Sequence, residues 1–173
     1  MRRVAVPAAA LLLIAPSLPA AEPVAAPAAS ACAASEFHAL DFWIGRWRVE
    51  TPAGERAGTS HVEPTLGGCA LLEHWRGLFL PSDRVQEGLG LHRYDAATKR
   101  WRQAWVDETP ATVDSSGVQE GDGIVYDESS RPGKRRMSLR LLAGGRVEQR
   151  GERWDEASQS WQTTFHLIYV PEH

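Results

Sequence analysis

Signals for tight turns recur at close intervals along this sequence, and their spacing constrains the fold more than any other feature. Clusters of Gly, Pro, Asp and hydroxyl residues predict nine turns, at 52–54, 67–68, 81–83, 95–98, 108–110, 121–123, 132–133, 144–145 and 155–158. The segments between them are rich in Val, Leu, Trp, Tyr and Thr, and none carries a sustained apolar stripe of helical spacing. Nine turns therefore predict about ten short strands.

The predicted strands are 42–50, 57–66, 69–79, 84–94, 99–107, 111–119, 123–129, 135–142, 146–154 and 160–170. Serial hairpins of this kind favour a single antiparallel up-and-down β-barrel, because closure removes the edges that an open sheet of ten strands would expose. A sandwich of two sheets is the alternative. The sequence thus predicts an all-β fold in one domain.

Two tryptophans stand around a glycine in the first predicted strand. Trp43 and Trp47 are an even number of residues apart with Gly45 between them, which predicts both indoles on one face. A glycine lets the chain bend at the rim of a barrel, and a large aromatic side chain can close its bottom. Alternatively, both tryptophans only fill the core.

The N-terminus has the parts of a secretory signal peptide over residues 1–21. Arg2 and Arg3 supply positive charge, an apolar run follows, and small residues stand at the predicted cleavage site. Residues 22–36 are rich in Ala, Pro and Ser, which predicts a flexible leader before a barrel domain at 37–173. We therefore expect a periplasmic or secreted protein with no membrane segment once the signal is removed.

The charge balance argues against two classes of partner. The chain has 19 Lys and Arg against 22 Asp and Glu, a net charge of −3, and losing Arg2 and Arg3 with the signal makes it more acidic. Such a chain has no electrostatic reason to bind nucleic acid or an anionic membrane. The one basic cluster, residues 131–136, contains a Pro-Gly turn signal and is interpreted as an exposed hairpin end.

The sequence has two cysteines, Cys32 and Cys69, and an exported chain meets an oxidising compartment. We therefore expect a disulfide between them, which would tie the leader to the barrel. A lipidated Cys32 is the alternative, because residues 29–32 resemble a lipidation box, although the large aliphatic residue three positions before the cysteine is missing.

Alternation in the third and fifth predicted strands indicates an unusual inner face. A barrel core that is packed only for stability is mostly aliphatic, whereas a few polar groups among indoles are typical of a small-molecule pocket. The predicted ligand-binding residues are Trp47, Glu73, Trp75, Gln103, Trp105 and Asp107.

Three alternatives stay open for this face. Glu73 and Asp107 could pair with Arg140 or Arg153 as internal salt bridges. The same two carboxylates could act as acid and base in an isomerase or hydrolase, with the substrate held between the indoles. A scaffold with a packed interior and no ligand is the third alternative.

No established catalytic or metal-binding motif is present in the sequence. The six histidines show no His-x-His or His-Glu-x-x-His spacing, and His61 and Glu63, which share a face, supply only two ligands. A Gly-x-Ser-x-Gly motif is absent. Residues 88–90, Gly-Leu-Gly, are predicted to be a bulge-prone strand position, and His166 is predicted to face solvent.

The sequence resembles a family of secreted bacterial proteins with a domain of unknown function. The resemblance covers about 37–170 and rests on Asp41–Trp47, on Gly68-Cys69-x-x-x-Glu73-x-Trp75, on Tyr94-Asp95 followed by Trp101-x-Gln103-x-Trp105-Val106-Asp107, and on Trp161 to Tyr169. Those proteins are similar to the lipocalin-like, or calycin, barrels and are distant relatives of nitrobindin. The resemblance implies a barrel of about ten strands with an interior cavity, and no settled activity.

Nitrobindin holds haem through a histidine after its final strand and can convert peroxynitrite to nitrate. In this sequence the histidine after the last predicted strand is His173, which does not match that motif. We therefore expect neither haem nor another cofactor. The leading hypothesis is a monomeric exported barrel that binds a small, partly apolar ligand.

Overall fold

A computed structural model describes residues 31–79 and 84–172. The predicted signal peptide, the first part of the leader and His173 lie outside the described residues. The fold consists of ten strands: β1 (Gly45–Glu50), β2 (Arg56–Thr65), β3 (Ala70–Phe79), β4 (Arg84–Asp95), β5 (Arg100–Asp107), β6 (Thr112–Glu120), β7 (Gly123–Glu128), β8 (Arg135–Leu141), β9 (Val147–Asp155) and β10 (Ser160–Pro171).

The ten strands form one closed barrel, in which each strand pairs with its sequence neighbours and β1 pairs with β10. Neighbouring strands run antiparallel throughout. Because the first and last strands are joined, with Trp47 opposite Pro171, no open edge remains among the described strands. The predicted up-and-down barrel is confirmed, and the alternative of a two-sheet sandwich is wrong.

Side chains of the turns close two of the hairpins. Thr98 Oγ1 donates a hydrogen bond to Asp95 Oδ2 at 2.8 Å, and Ser158 Oγ donates one to Asp155 Oδ2 at 2.6 Å. An aspartate that opens a turn can accept hydrogen bonds from the hydroxyl and amide groups that follow it, so these bonds stabilise the turn. An aromatic pair flanks each turn: the ring centroids of Tyr94 and Trp101 lie 6.1 Å apart, and those of Trp154 and Trp161 lie 5.5 Å apart.

The first tryptophan of the opening motif lies outside the strand to which it was assigned from the sequence. Trp43 ends a short 3-10 helix, Asp41–Trp43, and β1 begins only at Gly45. Gly45 has a φ of 144°, a backbone conformation that lets the chain turn from the helix into the strand. The strand prediction for Trp43 is therefore wrong. Its indole is nevertheless buried like that of Trp47, whose Nε1 donates to the Trp43 carbonyl at 2.9 Å.

The segment before β1 closes one end of the barrel. Trp43 is fully buried there, with its ring 5.2 Å from that of His92 and 5.5 Å from that of Tyr169. The Cys32–Cys69 disulfide fastens this segment to the turn before β3, which confirms the predicted pairing. The end of the predicted leader, residues 31–36, is thereby tied to the barrel.

Candidate functional site

The structure places the six predicted ligand-site residues on the inner face of the barrel. Three are buried deep in the lumen, namely Trp47, Glu73 and Gln103, with 4, 2 and 7 % of their surface exposed. Three are half-buried and lie towards the end opposite Trp43, which we call the open end: Trp75, Trp105 and Asp107. The burial pattern of β5 alternates as the sequence does, while the role of these residues in binding stays a prediction.

Each half-buried indole lies over a glycine. A Cβ on Gly77 would come within 2.2 Å of Trp75 Cζ2, and a Cβ on Gly88 within 2.2 Å of Trp105 Cζ2. Glycine therefore leaves the room that these rings need against the inner wall. Residues 88–90 lie within β4, as predicted, and β4 pairs with β3 and β5 there without a register shift, so no bulge forms at this position.

Asp107 is fixed at the open end by three neighbouring side chains. Gln86 Nε2 donates to its Oδ2 at 2.8 Å and Trp105 Nε1 donates to the same oxygen at 3.0 Å. Thr109 donates to Oδ1 through its hydroxyl at 2.6 Å. Burial raises the pKa of Asp107, but the hydrogen bonds from Thr109 and Trp105 outweigh burial, so the pKa lies below its ordinary value. Asp107 is therefore an ionised group that orients the indole beside it.

Glu73 is the deepest carboxyl group in the lumen. Ser60 Oγ donates to its Oε1 at 2.9 Å, and the hydroxyl of Tyr169 donates to the same oxygen at 3.1 Å. Burial disfavours the charged form more than these two bonds favour it, which raises the pKa of Glu73 from 4.5 to about 7. The carboxyl group can therefore gain or lose a proton near neutral pH.

Neither lumen carboxyl group pairs with an arginine among the described residues. The partners of Glu73 are hydroxyl groups, and those of Asp107 are an amide, an indole and a threonine. Arg140 and Arg153 are exposed on the barrel. The alternative of internal salt bridges to these arginines is therefore wrong.

Sequence reasoning missed His92, which is fully buried in the lumen. Its Nδ1 lies 3.1 Å from the hydroxyl of Tyr126, and burial lowers its pKa from 6.5 to about 3, so the ring is neutral. Its Nε2 has no hydrogen-bond partner within the described part of the chain. Alternation could have found this residue, because His92 follows Gly88 and Gly90 at even spacing on β4.

Gly90 brings His92 and Glu73 to the same point of the lumen. A Cβ on this glycine would lie 3.1 Å from His92 Nε2 and 3.2 Å from Glu73 Oε2. The ring of Trp105 covers the same point, with its Cε3 at 3.4 Å. An imidazole nitrogen and a carboxyl oxygen thus both lie close to a residue that has no side chain.

Tyr169 is the second lumen residue that sequence reasoning missed. It is buried, and burial together with the adjacent carboxyl of Glu73 raises its pKa well above the ordinary value, so it stays a neutral hydroxyl. Its oxygen lies 2.8 Å from Oε1 of Gln149, a buried amide on β9. Tyr169 therefore links the carboxyl group on β3 to the last two strands.

Two concavities lie near the open end. The larger, of about 550 Å³, is lined by outward-facing side chains such as His74, Leu89 and Val106 and also by Trp75 and Asp107 of the candidate site. An ion pair between Arg76 and Glu87, with Nε and Oε1 3.0 Å apart, borders it. The smaller, of about 260 Å³, lies over β2 and β3. The buried polar side chains, by contrast, lie in the interior of the barrel.

His166 and His92, one in the last strand and one in the lumen, have different surroundings. His166 lies on the outer face as predicted, with Nε2 2.7 Å from Glu148 Oε1. His92 is buried beside Gly90, where a Cβ would lie within 3.4 Å of His92, Glu73 and Trp105, and the expectation that the protein holds no haem stays a prediction. Among residues 31–79 and 84–172, no three His, Cys, Asp or Glu side chains are grouped to hold a metal ion.

These features define a closed antiparallel β-barrel whose lumen holds buried polar and aromatic side chains. Compared with models of known protein families and with curated protein sequences, the chain matches none of them. Within the described ranges, no helix has the length and apolar character required to cross a membrane.

Proposed function

We propose that this chain is an exported β-barrel that binds a small, partly apolar molecule in its lumen. One observation carries the proposal: two inward-facing indoles, Trp75 and Trp105, are half-buried at the open end, above the buried carboxyl group of Glu73. Indoles offer a large apolar contact surface, and a polar group behind them fixes the orientation of a ligand.

The composition of the deep lumen supports a binding role. A polar group inside a protein costs free energy unless it is hydrogen-bonded, so a barrel selected only for stability has little reason to hold many of them. The buried polar residues are Ser60, Glu73, His92, Gln103, Ser115 and Gln149. His92 in particular keeps one nitrogen without a partner among the described residues.

Two features support export and a monomeric state. The Cys32–Cys69 disulfide is stable in an oxidising compartment, and the signal peptide expected at residues 1–21 would direct the chain there. We propose that the protein is located in the periplasm or the extracellular space. We also propose that it belongs to a family of lipocalin-like barrels whose function is not established. A closed barrel leaves no strand edge through which copies would pair, so we also propose a monomer.

An acid/base enzyme is the second candidate, because the pKa of Glu73 is raised to about 7, where a carboxyl group can serve as a general acid or base. Asp107, the other carboxyl of that hypothesis, is bonded to Trp105 and Gln86 and shares no hydrogen-bond partner with Glu73. The binding role therefore has the better support.

Titration with N-phenyl-1-naphthylamine, a neutral fluorescent probe, tests the proposal. We expect one saturable site, energy transfer from tryptophan to the probe, and binding weakened about fivefold by Trp105→Ala, because one aromatic contact is lost. Trp154→Ala is the matched control, since Trp154 packs against Trp161 and Lys134 on the outer face. Equal affinities in wild type and both variants would contradict a lumen site.

A further inference from the structure

Two polar atoms of the lumen, a nitrogen of His92 and a carboxyl oxygen of Glu73, lie close to the same point beside Gly90. His92 Nε2 and Glu73 Oε2 lie 3.1 and 3.2 Å from the position of a Cβ on Gly90, and both residues are buried. His92 Nε2 has no partner among the described residues. A buried polar atom of this kind costs free energy, which a ligand with matching hydrogen bonds recovers.

The partner of the other ring nitrogen determines what His92 offers to the lumen. The hydroxyl of Tyr126 is buried, has a single hydrogen to donate, and lies 3.1 Å from His92 Nδ1. The Tyr126 hydroxyl has no other hydrogen-bond partner among the described residues, so we assign its hydrogen to Nδ1 of His92. In a neutral imidazole the ring proton then resides on Nε2, so Nε2–H is a donor that lies close to Gly90.

Glu73 supplies a hydrogen-bond acceptor near the same point. Its two described hydrogen bonds, from Ser60 and Tyr169, both reach Oε1. Oε2 is turned to the other side, towards Gly90, where it can accept a hydrogen bond when the carboxylate is ionised. A donor and an acceptor thereby lie within about 3.2 Å of the same point beside Gly90.

We infer that Glu73 and His92 anchor the polar end of the lumen ligand, and that this end is a hydroxyl group, which accepts from His92 Nε2–H and donates to Glu73 Oε2. The inference rests on the proposed lumen binding. Because Gly90 and the ring of Trp105 leave little room, only the hydroxyl reaches the anchor, while the apolar body of the ligand lies against the indoles towards the open end.

A matched pair of probes separates the anchor from lumen binding in general. 2-Naphthol carries a hydroxyl, and 2-methoxynaphthalene differs from it by one methyl group that removes the donor. Both are measured by displacement of N-phenyl-1-naphthylamine and by tryptophan quenching. Wild type should prefer 2-naphthol about tenfold, since a site built for a hydroxyl leaves its own polar groups unpaired when that hydroxyl is missing.

Two variants test whether the preference for 2-naphthol depends on Glu73 and His92. Gly90→Ala sets a methyl group at the meeting point without removing either polar side chain, and it should reduce the preference to about twofold. Leu89→Ala, which changes the outward-facing neighbour on the same strand, should keep it. His92→Phe, which keeps a ring and removes the donor, provides an independent second variant with the same expected loss.

The outcomes distinguish the two proposals. Equal affinity for both probes in wild type, or a preference that survives in Gly90→Ala and His92→Phe, overturns the anchor and leaves lumen binding intact. Failure of both probes to bind, together with no binding of N-phenyl-1-naphthylamine, overturns both. Nitrogen-15 spectra of labelled histidine add a direct check: the proton of neutral His92 should reside on Nε2, and a proton on Nδ1 would overturn the assigned donor.

Discussion

The hydroxyl of Tyr169 lies 3.1 Å from Oε1 of Glu73 and joins two residues that are 96 positions apart in the sequence. The same hydroxyl lies 2.8 Å from Oε1 of Gln149, so its single hydrogen faces two acceptors. The bond to Oε1 of Glu73 lowers the pKa of the carboxyl group, but burial outweighs it and leaves that pKa raised to about 7.

Tyr169→Phe should destabilise the barrel by about 1–3 kcal/mol, because Glu73 and Gln149 each lose a buried partner. It should also raise the pKa of Glu73 further, since the bond from Tyr169 lowers that pKa. Denaturant unfolding and carbon-13 titration of the Glu73 carboxyl measure the two effects. Tyr94→Phe is the control, because it removes a hydroxyl group from a ring that packs against Phe37 and Trp101. A fall in the pKa of Glu73 would contradict a hydrogen bond donated by Tyr169 to its carboxyl group.

The stability of the protein should depend on pH through two opposing groups. The pKa of Glu73 is raised from 4.5 to about 7, so the native state holds a proton that the unfolded chain has released, and stability falls by roughly 3 kcal/mol as the pH rises through this window. The pKa of His92 is lowered from 6.5 to about 3, so stability falls by roughly 5 kcal/mol as the pH drops through that window.

Single substitutions should reveal each slope. In wild type the two effects oppose each other between pH 4.5 and 6.5, so this pair contributes little net slope there. Glu73→Gln should leave a stability that rises with pH over this interval, and His92→Phe should leave one that falls. Thermal melting across the pH range measures both, and parallel curves for all three proteins would show that neither group titrates in this way.

Gly88→Ala should destabilise the barrel by about 1–3 kcal/mol, because the new Cβ would meet the ring of Trp105, whose Cζ2 lies 2.2 Å from its position. Most of this cost should disappear when Trp105 is already alanine, so the double variant measures the contact directly. The free energy of unfolding of the four proteins provides the cycle. Additive costs would show that the indole does not lie over Gly88.

Removing the disulfide with a Cys32→Ala and Cys69→Ala double variant should cost about 3–4 kcal/mol, the value that chain entropy predicts for a loop closed over a separation of 37 residues. A reductant should lower the melting temperature of the wild type and leave that of the double variant unchanged. A free thiol on either cysteine of the exported protein, or a lipid on Cys32, would contradict the pairing.

The features that sequence predicted correctly are those with a local cause. Turn chemistry and two-residue alternation gave the strand number and the inward direction of Glu73 and Trp105. Trp43 was misassigned because a single helical turn before a glycine has no periodicity of its own. The contact between Tyr169 and Glu73 exists only because the barrel closes, so no local pattern predicts it. His92 shares this alternation, but the glycines at 88 and 90 leave its face of β4 without the run of large side chains that marks an inner face.

Native mass spectrometry of the exported protein, purified gently from the compartment into which it is secreted, tests lumen binding most directly. We expect a fraction of the protein to carry a small organic molecule that is lost on denaturation, and whose free form contains a hydroxyl group. The Trp105→Ala protein, prepared in parallel, should carry less of it. A wild-type protein that shows only its bare mass, and that binds no added naphthalene probe, would contradict a ligand-binding lumen and favour a packed structural barrel.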